Sequence, residues 1–214
     1  MPSQLNKSLL LALLALLLFS PMFVIQRTGP VDFWWWMSIN LVVLTSLSLI
    51  SDRFFRADIQ QDFSNDLLKK VSIGLISAVF LYLVFFIGNY LSRRWFGFAS
   101  QGIEDVYKFK GDTSPIRIAI LMILLIGPGE EIFWRGFLQR NISSKWGKWT
   151  GYAVTLALYT FVHLFTMNLM LILAAFICGL FWGWLYLKYK SVMVNVISHT
   201  IWDIVVFLVL PFGQ

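Results

Sequence analysis

About seven stretches of the chain are long and apolar enough to cross a bilayer, at roughly 5–25, 33–50, 71–91, 116–140, 150–167, 169–187 and 191–210. A backbone in lipid has no water to bond, so each such segment must satisfy its own N–H and C=O groups as a helix. The sequence therefore predicts an all-α fold, a polytopic transmembrane helix bundle with about seven spans, in which residues 1–214 form a single membrane-embedded domain. Hydrophobic residues are 58% of the chain and mean hydropathy is +0.74, more than water-soluble globules carry. The first segment has a basic residue, Lys7, before a leucine-rich core, as a signal peptide would; Ser20, Pro21, Met22 and Phe23 offer no small-residue cleavage site, which favours a retained anchor.

The net charge of +6 does not point to nucleic acid, because the basic residues are scattered over the connections between apolar spans. They fit membrane topology and anionic lipid instead. With seven spans, the side of the N-terminus collects Lys7, Arg53, Arg56, Lys69, Lys70, Arg140, Lys145, Lys148, Lys188 and Lys190. The opposite side holds the smaller set Arg27, Arg93, Arg94, Lys108, Lys110 and Arg117. The larger group marks the cytoplasmic face, so the N-terminus is expected there, in a plasma or inner membrane. Trp34, Trp35 and Trp36, and Trp146 and Trp149 beside Lys145 and Lys148, read as anchors at the headgroup level. Cys178 is the only cysteine, so no intrachain disulfide forms. Residues 52–70 read as an interfacial helix or a solvated extension of the third span, and residues 92–114 as a gate for substrate or a plain link.

Against this apolar background a few ionisable groups stand out. Glu130, Glu131 and Arg135 lie within the fourth segment, His163 in the fifth, and His199 and Asp203 in the seventh. Each such group costs roughly 2.5–3.5 kcal/mol to insert, so an intramembrane cluster is read first as a functional site. Pro128, between Gly127 and Gly129, has no N–H for the Leu124 carbonyl, so the helix should kink or open just before the glutamates. Irregular backbone at that depth survives beside protein or a wet cavity.

Helical spacing separates the roles. Glu131 and Arg135, at i and i+4, form an ion pair that supports the site. Glu130 points away from Arg135 and is left as a proton acceptor. His163, in Tyr159-Thr160-Phe161-Val162-His163, reads alone as a core histidine as readily as a catalyst. His199 and Asp203, at i and i+4, share a face where they can meet a substrate atom, water or metal, or where one can lock the other across helices. Measured from the N-terminal side at ~1.5 Å per residue, Glu130 lies roughly 16 Å down its span, His163 roughly 20, His199 roughly 13 and Asp203 roughly 20. Three helices thus bring their polar groups to one layer.

Glu130-Glu131 with Arg135, the aromatic-x-x-x-His of Tyr159 to His163, and the His-x-x-x-Asp of His199 to Asp203 resemble the three motifs of the CAAX protease and bacteriocin-processing family, also called the ABI family. The resemblance runs over 116–210. It implies an intramembrane endopeptidase in which Glu130 and His163 activate a water for attack on a peptide carbonyl. His199 and Asp203 would hold the oxyanion or position the substrate. Many members have asparagine where this chain has Asp203, and an ionised aspartate cannot donate to an oxyanion; its role needs a protonated carboxyl, a metal, or orientation of His199. Tyr159 stands where phenylalanine is common. The family has been described both as metal-dependent and as glutamate-type. No His-Glu-x-x-His helix is present, and if zinc were bound its ligands would come from Glu130, His163, His199 and Asp203.

The resemblance further implies a membrane-associated peptide or lipidated protein as substrate, including a prenylated CAAX-type tail, reached through a cavity open to the cytoplasm, with membrane lipids as the surroundings. Two other functions use the same residues differently. An immunity or scaffold protein would bind a bacteriocin-like peptide without cutting it. A proton-coupled transporter would use Glu130, His163 and Asp203 as a relay, but it would normally show a repeated half, which this sequence lacks.

Overall fold

The computed structural model describes residues 4–212, and all seven apolar stretches are helical in it. The long helices are α1 (Gln4–Ile25), α2 (Phe33–Ser51), α4 (Leu67–Trp95), α10 (Leu169–Tyr189) and α11 (Val192–Ile204), the last extended by a wider turn over Val205–Val209. Five spans, including Val192–Val209, are long and apolar enough to cross a membrane by length and composition. The fourth apolar stretch lies in an unbroken helical rod over 115–146, made of α6 (Pro115–Leu121), α7 (Gly127–Glu130) and α8 (Arg140–Trp146) joined by π-helical turns. The fifth is α9 (Lys148–His163), followed by a short 3₁₀ turn.

Short polar residues start these helices where the chain turns. Asp32 accepts the Trp35 N–H at α2, Asn168 accepts those of Met170 and Leu171 at α10, and Ser191 accepts that of Val194 at α11. Ser114 caps α6 with Pro115 behind it, where a missing N–H costs nothing. Gly147, at φ +89°, reverses the chain between α8 and α9. The hairpin is tight: a Cβ on Gly151 would lie 2.5 Å from the Ser143 backbone nitrogen.

Residues 52–70 divide into a separate short helix over 53–62 and, from Leu67, the first turn of the third span. Asp52 accepts the N–H groups of Phe54 and Phe55, starting α3 (Arg53–Asp62), and Asp66 in the left-handed region breaks the chain before α4. The apolar face of α3 turns inward, with Phe55 buried against Phe137. Residues 92–114 also carry structure, α5 (Ala99–Tyr107) and a 3₁₀ turn over Lys108–Lys110.

One continuous apolar core runs from Leu11 on α1 to Val206 beyond α11. α4 lies at its edge against α11, so close that a Cβ on Gly74 would sit 2.6 Å from Ile197. Its other faces expose Ile76, Val79, Phe80, Leu83, Phe86 and Ile87. A surface this apolar is an aggregation hazard in water but is solvated by lipid chains.

Polar contacts gather at the two ends. Where α1 begins, Lys7 donates to the Ser51 carbonyl (3.1 Å), Asn141 to Ser8 (3.1 Å), and Arg140 pairs with Asp52 and Asp58. Where α1 ends, Arg117 pairs with Asp32 and the Trp34 indole donates to the Phe109 carbonyl (2.9 Å). Trp34 is therefore a correction: it is buried, whereas Trp35, Trp146 and Trp149 remain exposed as the anchor reading requires.

Candidate active site

Helical structure continues through Pro128. The turns on both sides open, over Met122–Ile126 and Glu131–Gln139, and the Gly127 N–H reaches back to the Met122 carbonyl. Widened turns of this kind are frequent at functional sites. The two glycines let α7 press on its neighbours. A Cβ on Gly127 would lie 2.1 Å from the Thr200 hydroxyl, and one on Gly129 would lie 2.9 Å from Leu41.

From this rod the two glutamates enter different surroundings. Glu131 is wholly buried, and each of its oxygens is engaged: Oε1 by Arg135 (2.9 Å) and His199 Nδ1 (2.7 Å), Oε2 by the Asn195 amide (3.0 Å). The expected Glu131–Arg135 pair is present, but Glu131 is also the group that orients His199. The Arg135 guanidinium lies over Tyr159 (4.6 Å) and nearer that ring than Trp182 (5.7 Å). Trp182 in turn stacks on the His199 ring at 3.6 Å. These aromatic faces replace part of the hydration that a buried cation has lost.

Glu130 accepts one hydrogen bond, from the Tyr159 hydroxyl (3.0 Å), and forms no ion pair among the described residues. His163 places Nδ1 2.8 Å from the Tyr159 carbonyl, an oxygen that only accepts. Nδ1 therefore carries the proton, and Nε2 keeps a lone pair. His199 gives Nδ1 to Glu131, which leaves Nε2 facing Asp203 at 3.4 Å.

Glu130, His163, His199 and Asp203 all line a single cavity of about 340 Å³. The common layer expected from their depths is thus a common cavity. Its remaining wall is almost entirely apolar, including Phe23, Trp34, Phe85, Ile103, Phe109 and Trp202. Ile103, Val106, Tyr107 and Phe109 bring the 92–114 connection into that wall, so it is more than a link.

One pair of sequence expectations needs correction. The cavity reaches from the buried carboxylates toward the end where α1 stops and α2 starts, at Phe23, Phe33 and Trp34. It lies away from the N-terminal end, so the N-terminus and the cavity mouth cannot both face the cytoplasm. The sequence leaves zinc open; among the described residues no three His, Cys, Asp or Glu side chains converge as metal ligands. Both ring nitrogens of His199 are taken, Nδ1 by Glu131 and Nε2 by Asp203, so the four residues as arranged here do not gather as a zinc site.

Asn195 and Trp182 were not singled out from sequence. Asn195 had a legible signal, because Asn195, His199 and Asp203 continue one helical face in steps of four. Trp182 had none, since its stacking on His199 joins two different helices.

Residues 112–205, which hold all three motifs, match the family model described as type II CAAX prenyl endopeptidase Rce1-like. The match makes this segment similar to the Rce1-like CAAX endopeptidases. No curated protein and no solved structure matches the chain. The Rce1-like segment begins at the end of the 92–114 connection and includes the rod, α9, α10 and α11. The α1, α2 and α4 helices outside it supply Phe23, Trp34 and Phe85 to the same cavity.

Proposed function

We propose that the chain is an intramembrane endopeptidase that hydrolyses a peptide bond in a membrane-associated substrate, with a prenylated CAAX-type tail as the leading candidate. The observation that carries this reading is that Glu130 and His163, whose Nε2 is left without the carbonyl that holds Nδ1, line one largely apolar cavity. A carboxylate and an imidazole lone pair can together hold a water, while the apolar wall suits a lipid or aliphatic side chain.

In the proposed reaction the water oxygen attacks the scissile carbonyl carbon while His163 Nε2 accepts one of the water's hydrogen bonds. The proton passes to Glu130, and the carbonyl π electrons move to oxygen. His199, protonated on both nitrogens and held at Nδ1 by Glu131, turns its Nε2–H from Asp203 to that oxyanion. Glu130 then returns its proton to the amide nitrogen as the C–N bond breaks. The saturated contacts of Glu131 hold His199 in place, so little reorganisation accompanies the charge that develops.

The basic-residue distribution argues for a cytoplasmic N-terminus, which would put the cavity mouth on the opposite face; a tail presented from the cytoplasm requires the reverse. Single cysteines at Lys110 and Lys190 in a Cys178→Ser background, labelled in intact cells with an impermeant maleimide, decide between the two. The activity itself is tested by cleavage of quenched prenylated and unprenylated peptides by the purified protein. Cleavage by the wild type and silence of Glu130→Gln are expected. Cleavage that survives in Glu130→Gln refutes the assigned role.

A further inference from the structure

Among the described residues the cavity wall carries the carboxyl groups of Glu130 and Asp203 but no lysine or arginine. A substrate carboxylate inside it would meet the two carboxyl groups and no lysine or arginine. The cation closest in sequence to the wall residues of α4 is Arg93, one residue beyond Ser92. Its Nε donates to Asn89 Oδ1 (2.9 Å), Nη1 to the Ser100 hydroxyl (3.2 Å) and Nη2 to the Phe212 carbonyl (2.8 Å). All these acceptors are neutral, and among the described residues no carboxylate pairs with Arg93. Asn89 and Phe212 both line the cavity, so the half-buried guanidinium is fixed at its rim with N–H donors to spare.

The spacing along α4 gives this cation a meaning. Val84, Phe85, Gly88, Asn89 and Ser92 form one lining face of the helix. Phe85 meets Trp202, the neighbour of Asp203, edge-on at 4.7 Å. From Phe85 to Arg93 the helix rises about 12 Å. Three extended peptide residues span about 10 Å, the length of the chain end that follows the lipidated cysteine in a C-a-a-X tail.

We propose that Arg93 binds the free C-terminal carboxylate of the substrate, so that the site measures its cut from the chain end. The inference rests on the peptidase reading and adds a specificity residue to it. Glu130 and Asp203 exclude the carboxylate from the deep end, and Arg93 receives it at the rim. Arginine suits the task because its planar fork matches a carboxylate with two parallel hydrogen bonds.

The test uses two otherwise identical prenylated peptides, one ending in a carboxylic acid and one in an amide, with the wild-type protein, Arg93→Gln and Arg93→Lys. The wild type should favour the acid by about tenfold to a hundredfold, mainly in KM. In Arg93→Gln the acid should fall to the level of the amide, and Arg93→Lys should recover part of the preference. Equal cleavage of acid and amide by the wild type, or an acid preference that persists in Arg93→Gln, overturns the proposal and leaves the peptidase reading standing. If neither peptide is cut, the peptidase reading fails on these substrates. Binding of the two peptides to Glu130→Gln, by fluorescence anisotropy, then tests Arg93 without catalysis: an acid preference supports its role, and equal binding removes it.

Discussion

Glu130 and Glu131 are neighbours on one rod, yet one opens on a cavity and the other is sealed among partners. Glu131 has Arg135, His199 and Asn195 around it and no exposure, whereas Glu130 has the Tyr159 hydroxyl and the cavity. The difference teaches how a membrane interior can hold two carboxylates for different ends. A saturated carboxylate fixes geometry, and one with spare acceptor capacity is available for proton transfer.

The comparison breaks most directly at the open side. Glu130→Gln should keep the fold and the Tyr159 bond but lower kcat by about 10²–10⁴-fold, measured by single-turnover peptide cleavage. At the sealed side the expected loss is in stability. Glu131→Ala leaves Arg135 buried without its counter-charge and should cost about 3–5 kcal/mol, read from unfolding in mixed micelles. A variant of unchanged stability would mean that Arg135 finds another partner.

Smaller changes sharpen the contrast. Gly127→Ala forces a methyl against Thr200 and should cost about 1–3 kcal/mol by the same unfolding measurement, with kcat falling because Glu130 moves with the rod. Asn195→Ala removes one donor from Glu131 and leaves Trp182's carbonyl without that amide; about 1–2 kcal/mol is expected. Tyr159→Phe removes the only hydrogen bond to Glu130 among the described residues, and a change in kcat below about tenfold is expected, with little change in unfolding. A larger loss would promote the tyrosine to a main determinant of Glu130's position.

The resemblance in sequence was carried by residues whose spacing is local. The Glu131–Arg135 and His199–Asp203 pairs follow from i,i+4 geometry, and both are present. The Trp34 anchor reading failed because a tryptophan at a helix start looks the same whether its ring meets headgroups or a packed neighbour; here Phe109 supplies that neighbour. The link between His199 and Glu131 was not legible, since it spans 68 positions and depends on how α11 packs against the rod. The same is true of the mouth: basic residues in the connections indicate a side for the N-terminus, but only packing shows toward which end a cavity opens.

The sequence by itself determined the membrane setting, the helical class and the set of ionisable residues, because hydrophobic length and the cost of burying charge act on each segment separately. Tertiary structure decided which glutamate is sealed, which nitrogen of each histidine is left to the cavity, where the cavity opens, and that the donors do not gather as zinc ligands. These depend on distances between side chains on different helices, which are fixed only when glycines such as Gly74, Gly127 and Gly129 let those helices approach closely.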